Sequence, residues 1–210
     1  MQGSPTTPLS QDEAIALMMY TSRGVDRKLN DAVLEAGSSR QQYRNNFHFK
    51  TLHFLLTRTL QKLRVPSKYQ DVFRGWCGRK YEVKKGEKIR FGQFVSTSLS
   101  REVSASFDTD TMFHVHTCHG ADIQKFSNDP NEREVLIPPY EIFEVTEVSW
   151  ILQMMHIKLR STGNSSNYNC ECKGDRGSST HLFLKNPGVL LRKFFFCPNQ
   201  GFSLASPHSS

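Results

Sequence analysis

Apolar residues recur at three- and four-residue spacing up to about residue 63, and beyond residue 70 they alternate or gather in short blocks. Helices are therefore expected first and strands afterwards. Ser10, followed by Gln11, Asp12 and Glu13, reads as a helix N-cap with acidic residues in the first turn, and Ala14, Leu17 and Met18 supply the spacing of a helix over 11–21. A second helix is expected over 27–36, stopped by Gly37. A third, over 47–63, carries Leu52, Leu55, Leu56, Thr59, Leu60 and Leu63 on one stripe. These stripes read as core. Strands are expected at 72–75, 88–98, 112–117, 134–137, 142–152 and 154–159, with a short helix over 101–107. Segregated helices and strands, rather than strict alternation, indicate an α+β domain. Gly, Ser, Asn and Pro rise after Cys172. The chain thus divides into a flexible start (1–9), one domain (10–172) and a C-terminal extension (173–210) of undetermined order.

Within the strand-rich part, Glu132 and Glu134 flank Arg133 at the mouth of the apolar run Val135-Leu136-Ile137. In a strand, side chains at i and i+2 share a face about 7 Å apart, so the two carboxylates would point into one cleft, Val135 and Ile137 into the core. Neighbouring carboxylates repel and call for a cation between them. Alone, such a pair is ordinarily a solvated acidic edge. Two upstream segments alter that reading: Val72-Phe73-Arg74-Gly75, and Phe94-Val95-Ser96-Thr97-Ser98-Leu99. In order, the chain offers an arginine, a Ser-Thr-Ser strand and a Glu-x-Glu strand.

With these motifs go Ala14-Ile15-Ala16-Leu17-Met18-Met19-Tyr20-Thr21, Phe49-Lys50-Thr51-Leu52-His53-Phe54-Leu55-Leu56-Thr57, Thr117-Cys118-His119-Gly120-Ala121 and Tyr168-Asn169-Cys170-Glu171. Together they resemble the vertebrate arginine-specific mono-ADP-ribosyltransferases, relatives of bacterial ADP-ribosylating toxins, over roughly residues 10–172. The resemblance implies helices on one side of two small, roughly perpendicular sheets around an NAD cleft. It also implies transfer of ADP-ribose from NAD, or from NADP, to arginine on acceptor proteins. Cleaving the ribose–nicotinamide bond leaves positive charge on the sugar, which a carboxylate stabilises as in glycoside hydrolysis. Glu134 is the expected catalytic carboxylate; by resemblance it also bonds a ribose hydroxyl, and Ser96 orients it. Arg74 would hold phosphate or ribose oxygens through its planar fork of donors. The backbone at Gly75 would pair with the nicotinamide amide, Phe107 would stack on the ring, and Tyr20 and Ser127 would add NAD contacts. A charged guanidinium is a poor nucleophile, so an acceptor arginine needs a carboxylate to bind it and help remove its proton. Glu132 is assigned that task, with 126–131 as the loop presenting the target. By the same resemblance, Cys118 and Cys170 form a disulfide.

Composition changes this picture little. With 210 residues, 37 % hydrophobic and 22 % charged, the chain is long and apolar enough to bury a core. Its net charge of +7 favours anionic ligands. The densest basic cluster, Arg79, Lys80, Lys84, Lys85, Lys88 and Arg90, reads as a solvated charged hairpin or as a field drawing in a pyrophosphate. No nucleic-acid motif accompanies it, so no nucleic-acid partner is expected. No apolar run reaches about 18 residues, which excludes a membrane-spanning helix. The first residues lack a signal-peptide pattern and the last lack a lipid-anchor signal. Cysteine usage and the sequon Asn164-Ser165-Ser166 point instead to an oxidising compartment. The expectation is a monomeric, secreted or surface enzyme in a shortened form, with the export of that form in question. The eight His and five Cys show no ligand spacing, so no metal is expected. NAD hydrolysis by water is the nearest alternative activity. A catalytically silent interaction protein is the alternative of another class.

Overall fold

The structure, a computed structural model, describes residues 9–22, 24–65, 69–77, 81–105, 110–165 and 189–190. The expectations for residues 1–8, Arg79, Lys80, Phe107, Cys170, Cys172 and Cys197 lie outside these residues.

Helix α1 (Gln11–Thr21) opens on a capping box, in which Glu13 N donates to Ser10 Oγ at 3.3 Å and Ser10 N donates to Glu13 Oε2 at 2.8 Å. The same carboxylate meets Lys62 Nζ at 2.7 Å, which turns Glu13 inward. The buried face consequently runs through Glu13, Ala16, Leu17 and Tyr20, and Met18, expected in the core, is 58 % exposed. Helix α2 (Val25–Ala36) follows Gly24, whose φ of 82° suits glycine, and buries Leu29, Asn30, Val33 and Ala36. Helix α3 (Arg40–Asn46) was not foreseen. It buries no residue, so it leaves no apolar signature; Ser39 caps it by accepting from Gln42 N at 3.1 Å. The expected third helix is α4 (Lys50–Leu63), which buries Leu56, Thr59 and Leu60.

The strands are β1 (Gln70–Trp76), β2 (Lys88–Arg90), β3 (Val95–Ser98), β4 (Thr111–Thr117), β5 (Ala121–Asp122), β6 (Glu134–Ile137), β7 (Glu141–Ile151), β8 (Met154–Asn164) and β9 (Val189–Leu190), with α5 (Arg101–Ala105) between β3 and β4. The single strand expected over 88–98 is interrupted at Gly92, whose φ is 69°. There the chain leaves β2 to enter β3 elsewhere in the sheet. The spatial order is β5-β6-β3-β1-β4-β8-β7-β2-β9, and β9, from the C-terminal extension, lies parallel to β2.

In place of two separate sheets, the strands form one ladder with a weak joint. Strands β1 and β3 share the single register pair Phe73↔Ser98, whereas β1 and β4 pair from Gln70↔Thr117 to Trp76↔Thr111. The joint separates a small wing (β5-β6-β3) from a large one (β1-β4-β8-β7-β2-β9). Val95, Val135 and Ile137 of the small wing pack in one cluster with Val72, Trp76, Phe113, Phe143 and Ile157 of the large wing, so the wings face each other across a common core. The other side of the small wing, through Phe94, Ala121 and Leu136, packs against Leu17, Tyr20, Leu29, Leu56 and Leu60. Helices, small wing and large wing are thus stacked layers.

The Thr117–Ala121 motif is a structural tie. Fully buried Glu141 accepts from Thr117 Oγ1 at 2.6 Å, Cys118 N at 2.8 Å and His119 N at 3.1 Å. Gly120 belongs to the same turn, where an added Cβ would come within 2.8 Å of Thr117 Cγ2. Cys77 is disulfide-bonded, but Cys118 is a free thiol with Sγ 3.0 Å from Ser161 Oγ. Cys170, the expected partner of Cys118, lies outside the described residues. Among the described residues, no helix is long and apolar enough to cross a membrane.

Candidate active site

A cleft opens where the two wings meet, lined by Arg74, Gly75, Ser96, Ser98, Glu132 and Glu134 with Phe73, Thr97, Val103 and Ser104. Antiparallel pairing of β3 with β6 sets Ser98 opposite Glu134. Ser96 is then the diagonal neighbour of Glu134 on the same face, within side-chain reach. The Ser96 and Ser127 hydroxyls lie near enough to the Glu134 carboxylate to favour its charged form. Glu134 is 6 % exposed. Burial raises its pKa, against the two hydroxyls and the Arg74 guanidinium; Asp26 adds to the rise.

Glu132 reaches the cleft by a route other than the expected strand alternation. It ends a single 3₁₀ turn, Pro130–Glu132, and Arg133 follows with φ 48° in the left-handed region. The turn is tied by Asp129, which accepts from Asn131 N at 2.9 Å, and by Ser98 Oγ, which donates to Glu132 O at 2.7 Å. Half-buried, Glu132 has its pKa pushed up to about 7 by burial first, then by Glu134 and Asp129, with Arg74 opposing. Arg133 is exposed.

Arg74 stands on β1, across the joint from the carboxylates. Burial lowers its pKa while Tyr20, Glu134, Asp26 and Glu132 act the other way. Among the described residues its Nε is buried without a hydrogen-bond partner. Tyr20 lies in the helix-facing core at 2 % exposure. Burial pushes its phenol pKa up, with the Asn30 amide and the nearby Ser96 hydroxyl acting the other way. Asn30 Nδ2 donates to Tyr20 Oη at 3.3 Å and to Phe94 O at 3.0 Å, and Asn30 Oδ1 accepts from Phe94 N at 3.0 Å. A chain of neighbouring polar groups thus runs from α2 through Tyr20 and Ser96 to Glu134.

The structure brings Arg74, Gly75, Ser96, Glu132 and Glu134 together in the cleft, with Ser127 near Glu134 and Tyr20 near Ser96. Phe107 lies outside the described residues. Sequence reasoning passed over Ser98, Val103, Ser104, Asn30 and Asp26. Ser98 was visible as the second serine of the Ser96-Thr97-Ser98 motif; Asn30 and Asp26 sit on a helix whose polar residues carry no spacing signal. Among the described residues, no group of three or more His, Cys, Asp or Glu is arranged to hold a metal ion.

A family model described as NAD:arginine ADP-ribosyltransferase matches residues 2–167. The chain belongs to the NAD:arginine ADP-ribosyltransferase family. It is 47 % identical over 166 residues to the erythroblast NAD(P)(+)--arginine ADP-ribosyltransferase of Gallus gallus, covering 78 % of this chain and 55 % of that protein. To the GPI-linked NAD(P)(+)--arginine ADP-ribosyltransferase 1 of Mus musculus it is 43 % identical, covering 80 % and 53 %. Among solved structures, a variant of the eukaryotic mono-ADP-ribosyltransferase ART2.2 in complex with NAD matches at 34 % identity and a TM-score of 0.65, over 80 % of this chain and 73 % of that one. The chain spans about half the length of the curated relatives it matches. The expected α+β ADP-ribosyltransferase fold is thus present, and family membership agrees with the Arg, Ser-x-Ser, Glu-x-Glu order along the chain.

Proposed function

We propose that this protein transfers ADP-ribose from NAD to arginine side chains of acceptor proteins. The observation carrying this reading is the convergence of Arg74, Ser96, Glu132 and Glu134 on one cleft. The Arg74 guanidinium, lining the cleft, suits a phosphate or ribose oxygen of the dinucleotide. In the reaction, the bond between the ribose anomeric carbon and the nicotinamide nitrogen breaks, and its electron pair leaves with nicotinamide. Glu134, its charged form favoured by the nearby Ser96 and Ser127 hydroxyls and by Arg74, presents negative charge to the sugar as positive charge develops there. A guanidinium nitrogen of the acceptor then bonds the anomeric carbon and loses a proton to Glu132. An acid titrating near 7 is matched to accepting that proton at neutral pH.

The same Glu132 favours a second activity. Below its pKa it is protonated and cannot take the guanidinium proton, so water replaces arginine and the outcome is NAD hydrolysis. Relatives named as acting on NAD(P) extend the donor reading to NADP. The name of the GPI-linked mouse relative supports an extracellular or cell-surface setting.

Incubating the purified chain with labelled NAD and an arginine-rich protein, then mapping the adduct, tests the proposal. Label on arginine nitrogen is the expected result. Nicotinamide release with no arginine adduct at any pH would establish hydrolysis instead, and no nicotinamide release would favour the silent alternative.

A further inference from the structure

The hairpin joining β7 to β8 ends in Trp150-Ile151-Leu152-Gln153-Met154. Trp150 is 52 % exposed, Ile151 51 % and Leu152 96 %. Leu152 and Gln153 occupy the two central turn positions with φ of 49° and 66°. A two-residue turn with both φ positive is ordinarily given to Asn-Gly or Asp-Gly, because a Cβ there is strained. This chain thus accepts backbone strain and full hydration of a leucine at the same residue, with no contact within the described fold to offset either.

The hairpin's own sequence carries no charge there. From Val148 to Met155 the sequence holds no ionisable residue, in a chain that is 22 % charged overall. The acid before that stretch, Glu147, is paired with Lys158 at 2.8 Å. His156, just after it, is kept below its ordinary pKa chiefly by burial, with Arg101 assisting. The last register pair of β4 with β8 is Thr111↔Met155, and Met155 N donates to Asp110 O at 2.8 Å at the base of the tip.

We propose that this tip is a membrane-contact element that inserts Trp150, Ile151 and Leu152 into the headgroup–acyl boundary of a lipid bilayer. Its size separates lipid from protein as the occupant. Three large side chains on a convex tip offer a few hundred Å² at most, below the roughly 800 Å² per partner of a stable protein interface. Interfacial insertion needs no shape-matched groove, and it favours a Trp at the rim beside aliphatic side chains.

The test uses the full chain with vesicles of phosphatidylcholine alone, so that the net positive charge of the protein plays no part. Trp76 is buried at 7 % exposure, so a change in tryptophan emission reports Trp150. The expected result is a blue shift on adding vesicles, quenched by lipids brominated near the headgroup. An Ile151→Thr/Leu152→Asn double variant is expected to lower the partition coefficient by at least about tenfold. Its thermal midpoint should be unchanged or higher, because Asn tolerates the left-handed turn. The proposal is overturned by an unshifted spectrum at millimolar lipid, by wild-type partitioning of the double variant, or by binding confined to phosphatidylserine vesicles and abolished by salt. Self-association that the double variant abolishes would assign the tip to a second copy of the chain instead.

Discussion

Glu134 is nearly buried, yet its charge is supported by Ser96, Ser127 and Arg74. Replacing it by Gln keeps the shape and removes the anion that would face the sugar. Nicotinamide release should fall by roughly 10²–10³-fold or more, while NAD still binds with a dissociation constant within a few-fold of wild type, read by calorimetry. In the proposed acceptor step Glu132 takes the guanidinium proton in its deprotonated form, so arginine transfer is expected to rise through an apparent pKa near 7 while hydrolysis gains its share below that value. Glu132→Gln should erase the rise in transfer and leave nicotinamide release largely intact. Equal loss of both rates would remove Glu132 from the acceptor step.

Among the elements, legibility followed the strength of each pattern. Helices α1, α2 and α4 and the cores of the strands were readable from spacing, because burial on one side writes a period into the sequence. Helix α3 lacks that imprint, and Gly92 breaks a run whose residue types all favour a strand. The Glu-x-Glu pair was readable as a shared site, but its geometry was not: a 3₁₀ turn and a left-handed Arg133, rather than strand alternation, bring Glu132 to the cleft. Nor did the sequence mark Asn30 as the clamp between α2 and the residue leading into β3. Asn30→Ala would leave Phe94 N–H and C=O unpaired in a buried site, a loss of about 2–4 kcal/mol that lowers the melting temperature by about 5–15 °C. A smaller change in thermal unfolding would mean that water or a neighbouring side chain takes over the clamp.

For the molecule as a whole, the cleft is a source of instability at neutral pH. A carboxyl whose pKa is higher in the folded chain than in the unfolded one binds more protons when folded, so its stabilising effect is complete below the unfolded value near 4.5 and disappears as pH rises through about 7. Glu132 is half-exposed, which discounts the effect to about 1 kcal/mol. Glu132→Gln should therefore raise the thermal midpoint by about 2–4 °C at pH 8 and scarcely at pH 4.5. The reverse trend would show that Arg74 outweighs burial.

The single pair Phe73↔Ser98 has a thermal consequence for the whole protein. Arg74 stands on one side of that rung and both carboxylates on the other, while each half of the molecule keeps its own dense hydrogen bonding. The rung is the natural fuse. Warming should part the cation from the anions while most of the fold is intact, so chemistry fades several degrees before cooperative melting, and amides beside the rung trade hydrogen for deuterium ahead of those in β4 and β8.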